Sequence, residues 1–196
     1  MEKRKLLVFF LVSFFAIPAL GQQETLISGK VESGGFGGPA LKFTHLNGEF
    51  GLFMGGRGGW IINHSFSLGG GWYFLSNEVN ANPPNEDLDL RMNYGGLILE
   101  YIFQPQKITH FSVSVLFGVG GVSLYDRSGG NGVPEDNSTS YFVAEPGFSF
   151  IVNVANNFRI NLGASYRYIS GVDLAGIKEE NLRGISANLT LKFGEF

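Results

Sequence analysis

Residues 110–120 read HFSVSVLFGVG. Phe111, Val113, Val115, Phe117 and Val119 occupy every second position, while His110, Ser112, Ser114, Gly118 and Gly120 fall between them. Successive side chains of a strand point to opposite faces, so this stretch is a strand with one greasy face and one small, polar face. The pattern recurs after Asn157, where Phe158, Ile160, Leu162, Ala164, Tyr166 and Tyr168 oppose Arg159, Asn161, Gly163, Ser165 and Arg167. It recurs again from Ile185, with Ala187, Leu189, Leu191 and Phe193 set against Ser186, Asn188, Thr190 and Lys192. From Phe36 onward no segment carries the i, i+3, i+4 apolar spacing of a helix.

Working outward between turn signals gives eight such segments, at 35–46, 49–61, 65–76, 89–103, 108–125, 139–154, 158–171 and 182–193. They exceed the ~5–6 residues of a typical soluble strand and match the ~9–11 residues of a tilted membrane strand with protruding ends. The connections alternate. Segments 62–64, 104–107 and 155–157 are tight, whereas 77–88, 126–138 and 172–181 are longer and polar; Asn47-Gly48 is a hairpin turn where a long loop would be expected. The sequence therefore predicts an all-β fold, a closed antiparallel up-and-down eight-stranded transmembrane β-barrel.

The faces decide between a membrane barrel and a soluble ligand carrier. Glycine accounts for 29 of 196 residues, and the non-aromatic face is mostly Gly and Ser. That face would leave a water-facing exterior nearly uncharged, but it suits the crowded interior of a narrow eight-stranded barrel. Alternation also places Lys42, Arg57, Glu145, Arg159, Arg167 and Lys192 inside. Glu100 joins them if the parity of its strand shifts, because Leu90, Met92 and Tyr94 lie in the opposite phase to Leu97, Leu99, Tyr101 and Phe103. A bulge at Gly95-Gly96 supplies that shift. Two carboxylates among five cations require an interior network of ion pairs and hydrogen bonds. On the apolar face, Trp60, Phe66, Phe103, Phe111, Phe158 and Phe193 gather near the short turns, and Phe74, Tyr125, Phe142 and Tyr168 near the loops. These form two interfacial girdles.

Composition agrees. The chain is 44% hydrophobic and 16% charged, with 14 Lys+Arg against 17 Asp+Glu, which excludes both a disordered chain and the basic footprint of a nucleic-acid binder. Glu2-Lys3-Arg4-Lys5, the apolar run Leu6 to Ile17 and the small-x-small site Ala19-Leu20-Gly21 read as an export signal. The expected division is a signal peptide at 1–21, a lead-in at 22–34 and the barrel at 35–196. There is no cysteine, so closure rests on packing and hydrogen bonds.

The chain resembles the small eight-stranded outer-membrane barrels of Gram-negative bacteria, the OmpX, OmpW and OmpA-barrel families, over about residues 30 to 196. The last strand, with Gly184, Ala187, Leu189, Leu191, Phe193 and the out-of-phase Phe196, looks like the aromatic-ended strand those families present to the barrel assembly machinery; either Phe193 or Phe196 is the recognised residue. The resemblance implies residence in the outer membrane as a monomer, among outer-membrane lipid and lipopolysaccharide. It does not select an activity, since barrels of this shape include anchors, adhesion proteins, narrow channels and lipid-A modifying enzymes. The expectation is a non-catalytic structural or surface-interaction protein with a filled polar lumen, no cofactor and no metal. A narrow channel for a small solute is the alternative.

His110-Phe111-Ser112 looks like the His-x-Ser pair of lipid-A deacylase barrels, with Glu100 as third group. Against that reading, parity points both residues inward, beside a short turn. His45 and His64 lie at opposite ends and share no metal. The glycine runs at 34–38, 55–59 and 69–71 precede no helix and serve close strand packing rather than phosphate binding. The loop acids Asp87, Asp89, Asp126, Glu135 and Asp136 solvate the loops.

Overall fold

The computed structural model describes residues 31–81, 88–126, 138–174 and 176–196. The signal-peptide reading, most of the lead-in, and Asp87, Glu135 and Asp136 lie outside these residues. Eight strands run β1 (Ser33–Leu46), β2 (Glu49–Ile62), β3 (Phe66–Leu75), β4 (Leu88–Phe103), β5 (Thr109–Asp126), β6 (Ser138–Ala155), β7 (Phe158–Ser170) and β8 (Gly184–Gly194). Each pairs antiparallel with its neighbour, and β1 pairs with both β2 and β8. The sheet thus closes on itself, leaving no unpaired edge, the condition a β-structure must meet inside hydrocarbon. Between β7 and β8, where the sequence predicts strand from residue 182, the single helical turn α1 (Glu179–Leu182) precedes the strand.

One rim carries the short turns at 63–65, 104–108 and 156–157, and the other carries the long connections together with the Asn47-Gly48 turn. Asn47 and Gly48 have φ of 52° and 84°, the positive pair that a two-residue hairpin turn needs to follow the strand twist.

Parity is uniform along the strands except at the end of β6, where the register shifts between Asn153 and Ala155. Phe111, Val113, Phe117 and Val119 stand exposed on the outside, while His110, Ser112 and Leu116 are buried inside. Outward aromatics form the two bands, with Trp60, Phe66, Phe103, Phe111 and Phe193 near the turn rim and Phe74, Phe142 and Tyr168 near the loop rim; Phe43 and Phe50 extend the second band.

β4 departs from the expectation. Its pairings with β3 and β5 run without interruption through Gly95 and Gly96, opposite Trp72 and Gly71 on one side and Val119 and Gly118 on the other. There is no bulge at Gly95-Gly96; a register irregularity occurs instead between Asn153 and Ala155 of β6. Glu100 is inward because the whole even-numbered face is inward, and so are Leu90, Met92 and Tyr94, each 2% exposed or less. The physical reason is that the lumen has two halves. Toward the loop rim it is filled by apolar and aromatic side chains, among them Leu46, Phe53, Leu90, Met92, Leu116, Leu124, Tyr141 and Ile169, so apolar residues there face inward as readily as outward.

That apolar plug continues into a lid. Val79 and Ala81 from the β3–β4 connection, and Leu174, Ile177 and Leu182 from the β7–β8 connection, belong to the same buried cluster. Asparagines tie the lid down. Asn47 N–H donates to the Asn181 carbonyl at 2.8 Å, Asn181 Nδ2 donates to Asn47 Oδ1 at 2.8 Å, and Asn47 Nδ2 donates to the Asn80 carbonyl at 2.7 Å.

Candidate functional site

Seven charged residues point inward, Arg167 at the level of the plug and lid and Lys42, Arg57, Glu100, Glu145, Arg159 and Lys192 below it. Lys42 on β1 and Glu145 on β6 meet across the lumen: Nζ donates to both carboxylate oxygens, at 2.7 and 2.8 Å. Tyr94 donates its hydroxyl to Glu145 Oε2 at 2.8 Å, and Ser165 donates to Oε1 at 2.5 Å. The ammonium of Lys42 also sits 3.7 Å from the ring centroid of Tyr73. Lys42 is 6% exposed and Glu145 4%. A buried ion pair is tolerable only when its remaining lone pairs and protons are also engaged, and this one meets that condition.

The second cluster centres on Glu100 of β4. Its Oε2 accepts from Lys192 Nζ of β8 at 2.7 Å and from Arg57 Nη2 of β2 at 3.0 Å, and its Oε1 accepts from Ser112 at 2.8 Å. Lys192 rests over the Phe36 ring at 4.4 Å.

Arg159 and Arg167 make no ion pair with either carboxylate. Arg159, near the turn rim, lies 4.0 Å from the ring centroid of Phe196. Arg167 is fully buried beneath the lid, where its Nε donates to the Leu182 carbonyl at 3.0 Å, its guanidinium faces the Phe53 ring at 4.9 Å, and Nη1 and Nη2 have no hydrogen-bond partner. Cation–π contact softens burial of a cation without neutralising it.

Sequence reasoning missed the aromatic partners. Tyr73 and Tyr94, with ring centroids 5.3 Å apart, are wedged between plug and charges. A phenol carries both an apolar body and a hydrogen-bonding tip, so hydropathy alone does not separate an inward Tyr from a girdle Tyr. The findable signal was parity: Tyr73 alternates with Trp72 and Phe74, and Tyr94 with Gly95.

The His-x-Ser arrangement does not assemble. Ser112 donates to Glu100, while His110 uses Nδ1 against the Lys107 carbonyl at 3.1 Å and its Nε2 is unpartnered. Imidazole and hydroxyl share a strand face but not a hydrogen bond, so His110 does not serve Ser112 as a paired base in this arrangement. Among the described residues no group of three or more His, Asp, Glu or Cys side chains converges as a metal site. Phe193 faces outward and stacks on Phe158, centroids 4.7 Å apart, whereas Phe196 turns beneath the barrel toward Phe36, centroids 6.5 Å apart.

Comparison with known proteins gives consistent results. The profile described as "Outer membrane protein beta-barrel domain" matches residues 7–193. Among curated proteins no sequence matches significantly. Neisserial surface protein A (NspA) is similar in structure, with TM-score 0.61 and 14% identity over 84% of this chain and 99% of that one. The N-terminal β-barrel domain of Pseudomonas aeruginosa OprF gives TM-score 0.53 and 15% identity, covering 83% of this chain and 96% of its own. Ail, the attachment invasion locus protein of Yersinia pestis, gives 0.47 and 13%, covering 85% and 99%. For NspA and the OprF domain, at these identities, the likeness concerns the fold.

Proposed function

Because the chain belongs to the outer membrane protein beta-barrel family and resides in the outer membrane, we propose that it is a closed, monomeric, non-catalytic barrel that anchors its loop rim at the cell surface as an interaction platform. One observation carries this reading: the lumen is blocked at two levels, by the apolar plug and by the ion-pair clusters below it. Leu46, Phe53, Tyr94, Leu124 and Ile169 are each at most 1% exposed, as is Leu182 of the lid, and two interstrand ion-pair clusters block what lies below. In outer-membrane barrels short turns face the periplasm and longer connections face outside. That rule puts the asparagine-tied lid at the surface, the Phe74–Phe142–Tyr168 girdle at the lipopolysaccharide level, and Arg159 under Phe196 at the periplasmic mouth. Phe193, outward on the last strand, is the aromatic we assign to recognition by the barrel assembly machinery; Phe196 serves as a cover.

Planar-bilayer recording tests closure. The purified, refolded chain should give no steady conductance, and a stable ohmic step would establish a narrow channel instead. Catalysis is tested separately. Lipid A isolated from cells expressing the chain should have the same mass profile as lipid A from cells expressing Ser112→Ala, and a mass change abolished by that substitution would establish an enzyme.

A further inference from the structure

Between the rims the strands aim five cations into the lumen, Lys42, Arg57, Arg159, Arg167 and Lys192, against two carboxylates, Glu100 and Glu145. Lys42 uses one carboxylate; Arg57 and Lys192 share the other. Four of these cations are enclosed with the two carboxylates, an excess of two positive charges, and Arg159 adds a third at the turn rim; each uncompensated buried ion costs several kcal/mol. Asp89, read from the sequence as a loop acid, is instead buried in the outward phase of β4 near the loop rim, bridged to Asn80 and away from the cavity below.

A cavity of about 30 Å³ lies among the charges, bordered by Arg57, Ser114, Ser149, Asn161, Asn188 and Thr190. Its walls hold polar groups with nothing to bind. Asn161, 3% exposed, has neither amide atom engaged, and Arg57 Nε is buried without an acceptor. Buried donors are ordinarily satisfied, so such a concentration around one void points to an occupant. Glu145 and Lys42 border the same void, but both carboxylate oxygens are taken up by Lys42, Tyr94 and Ser165. The Lys42–Glu145 pair is neutral as a whole, so the charged residues lining the cavity carry a net positive charge, from Arg57. At roughly 10–15 Å³ per water, the volume holds about two waters or one monatomic ion and is too small for a phosphate or sulfate.

We propose that this cavity is a halide site: a chloride ion accepts from Arg57 Nε and Asn161 Nδ2, with the hydroxyls of Ser114, Ser149 and Thr190 turned toward it, and lowers the positive excess of the lumen. The Oδ1 of Asn188, also unpartnered, faces a hydroxyl hydrogen or a water beside the ion.

Bromide is the probe. Crystals of the full chain refolded in detergent and grown in sodium bromide should show an anomalous peak in the cavity, within hydrogen-bond distance of Arg57 Nε and Asn161 Nδ2. In solution, exchanging gluconate for chloride at constant ionic strength should raise the melting midpoint by roughly 3–6 °C per tenfold chloride above saturation of the site. The Asn161→Leu variant, checked for folding by its heat-modifiable migration, should lose both signals. Water density without an anomalous peak would overturn the proposal. A bromide peak without chloride-dependent stabilisation would mean an adventitious ion only, and would overturn it equally.

Discussion

Glu145 receives hydrogen bonds from Lys42, Tyr94 and Ser165 at once, so its removal strands an ammonium and two hydroxyls in a dry lumen. Glu145→Gln should cost about 3–5 kcal/mol of stability, measured by urea titration of the barrel in detergent. The double replacement Lys42→Met with Glu145→Met should recover most of that loss, because an apolar pair of similar bulk needs no partners; equal loss in the single and double variants would refute a coupled pair. Glycines divide in the same way. A Cβ on Gly96 would lie 2.1 Å from the Phe117 carbonyl oxygen, and one on Gly118 would lie 2.0 Å from that of Gly95, whereas Gly37 has nothing within 4 Å. Gly96→Val should therefore prevent closure or cost upward of ~1–3 kcal/mol, while Gly37→Ala should refold like the parent, as read from the fraction reaching the heat-modifiable form.

At the scale of elements, the lid depends on a few side chains. Asn47 holds α1 through Asn181 and the β3–β4 connection through Asn80, and it also supplies a positive φ that asparagine tolerates better than most residues. Asn47→Ala should lower stability by about 1–2 kcal/mol and speed amide exchange in residues 176–183, leaving β5 and β6 unchanged; uniform exchange across the barrel would contradict a separately held lid. The same scale marks where the sequence is legible. β5 and β7 are read to within one residue of their ends because each has one predominantly apolar face, so alternation identifies both the strand and its orientation. β4 is misread because Leu90, Met92 and Tyr94 face a plug that is itself apolar, and hydropathy carries no sign distinguishing the plug from lipid. Continuity of parity through Gly95 and Gly96 was the reliable cue.

For the whole molecule, closure follows from local rules summed around a ring: eight alternating strands, small residues inside, aromatics at two levels outside. Six of the inward charged positions follow from phase; Glu100 is reached only through a bulge at Gly95-Gly96 that β4 does not contain. The pairing of these charges does not follow from phase, because which cation reaches which carboxylate depends on strand stagger across the lumen. Thus Lys42 finds Glu145 three strands away around the closed ring, while Arg167 finds only a carbonyl and a ring. Every inference about lumen, plug and lid assumes that the apolar face meets lipid. Nitroxide labels on single cysteines at Phe117 and Leu162, in the reconstituted protein, test this most directly. Both should be relaxed strongly by molecular oxygen and weakly by a water-soluble nickel chelate; dominant relaxation by the chelate would place that face in water and invert the barrel.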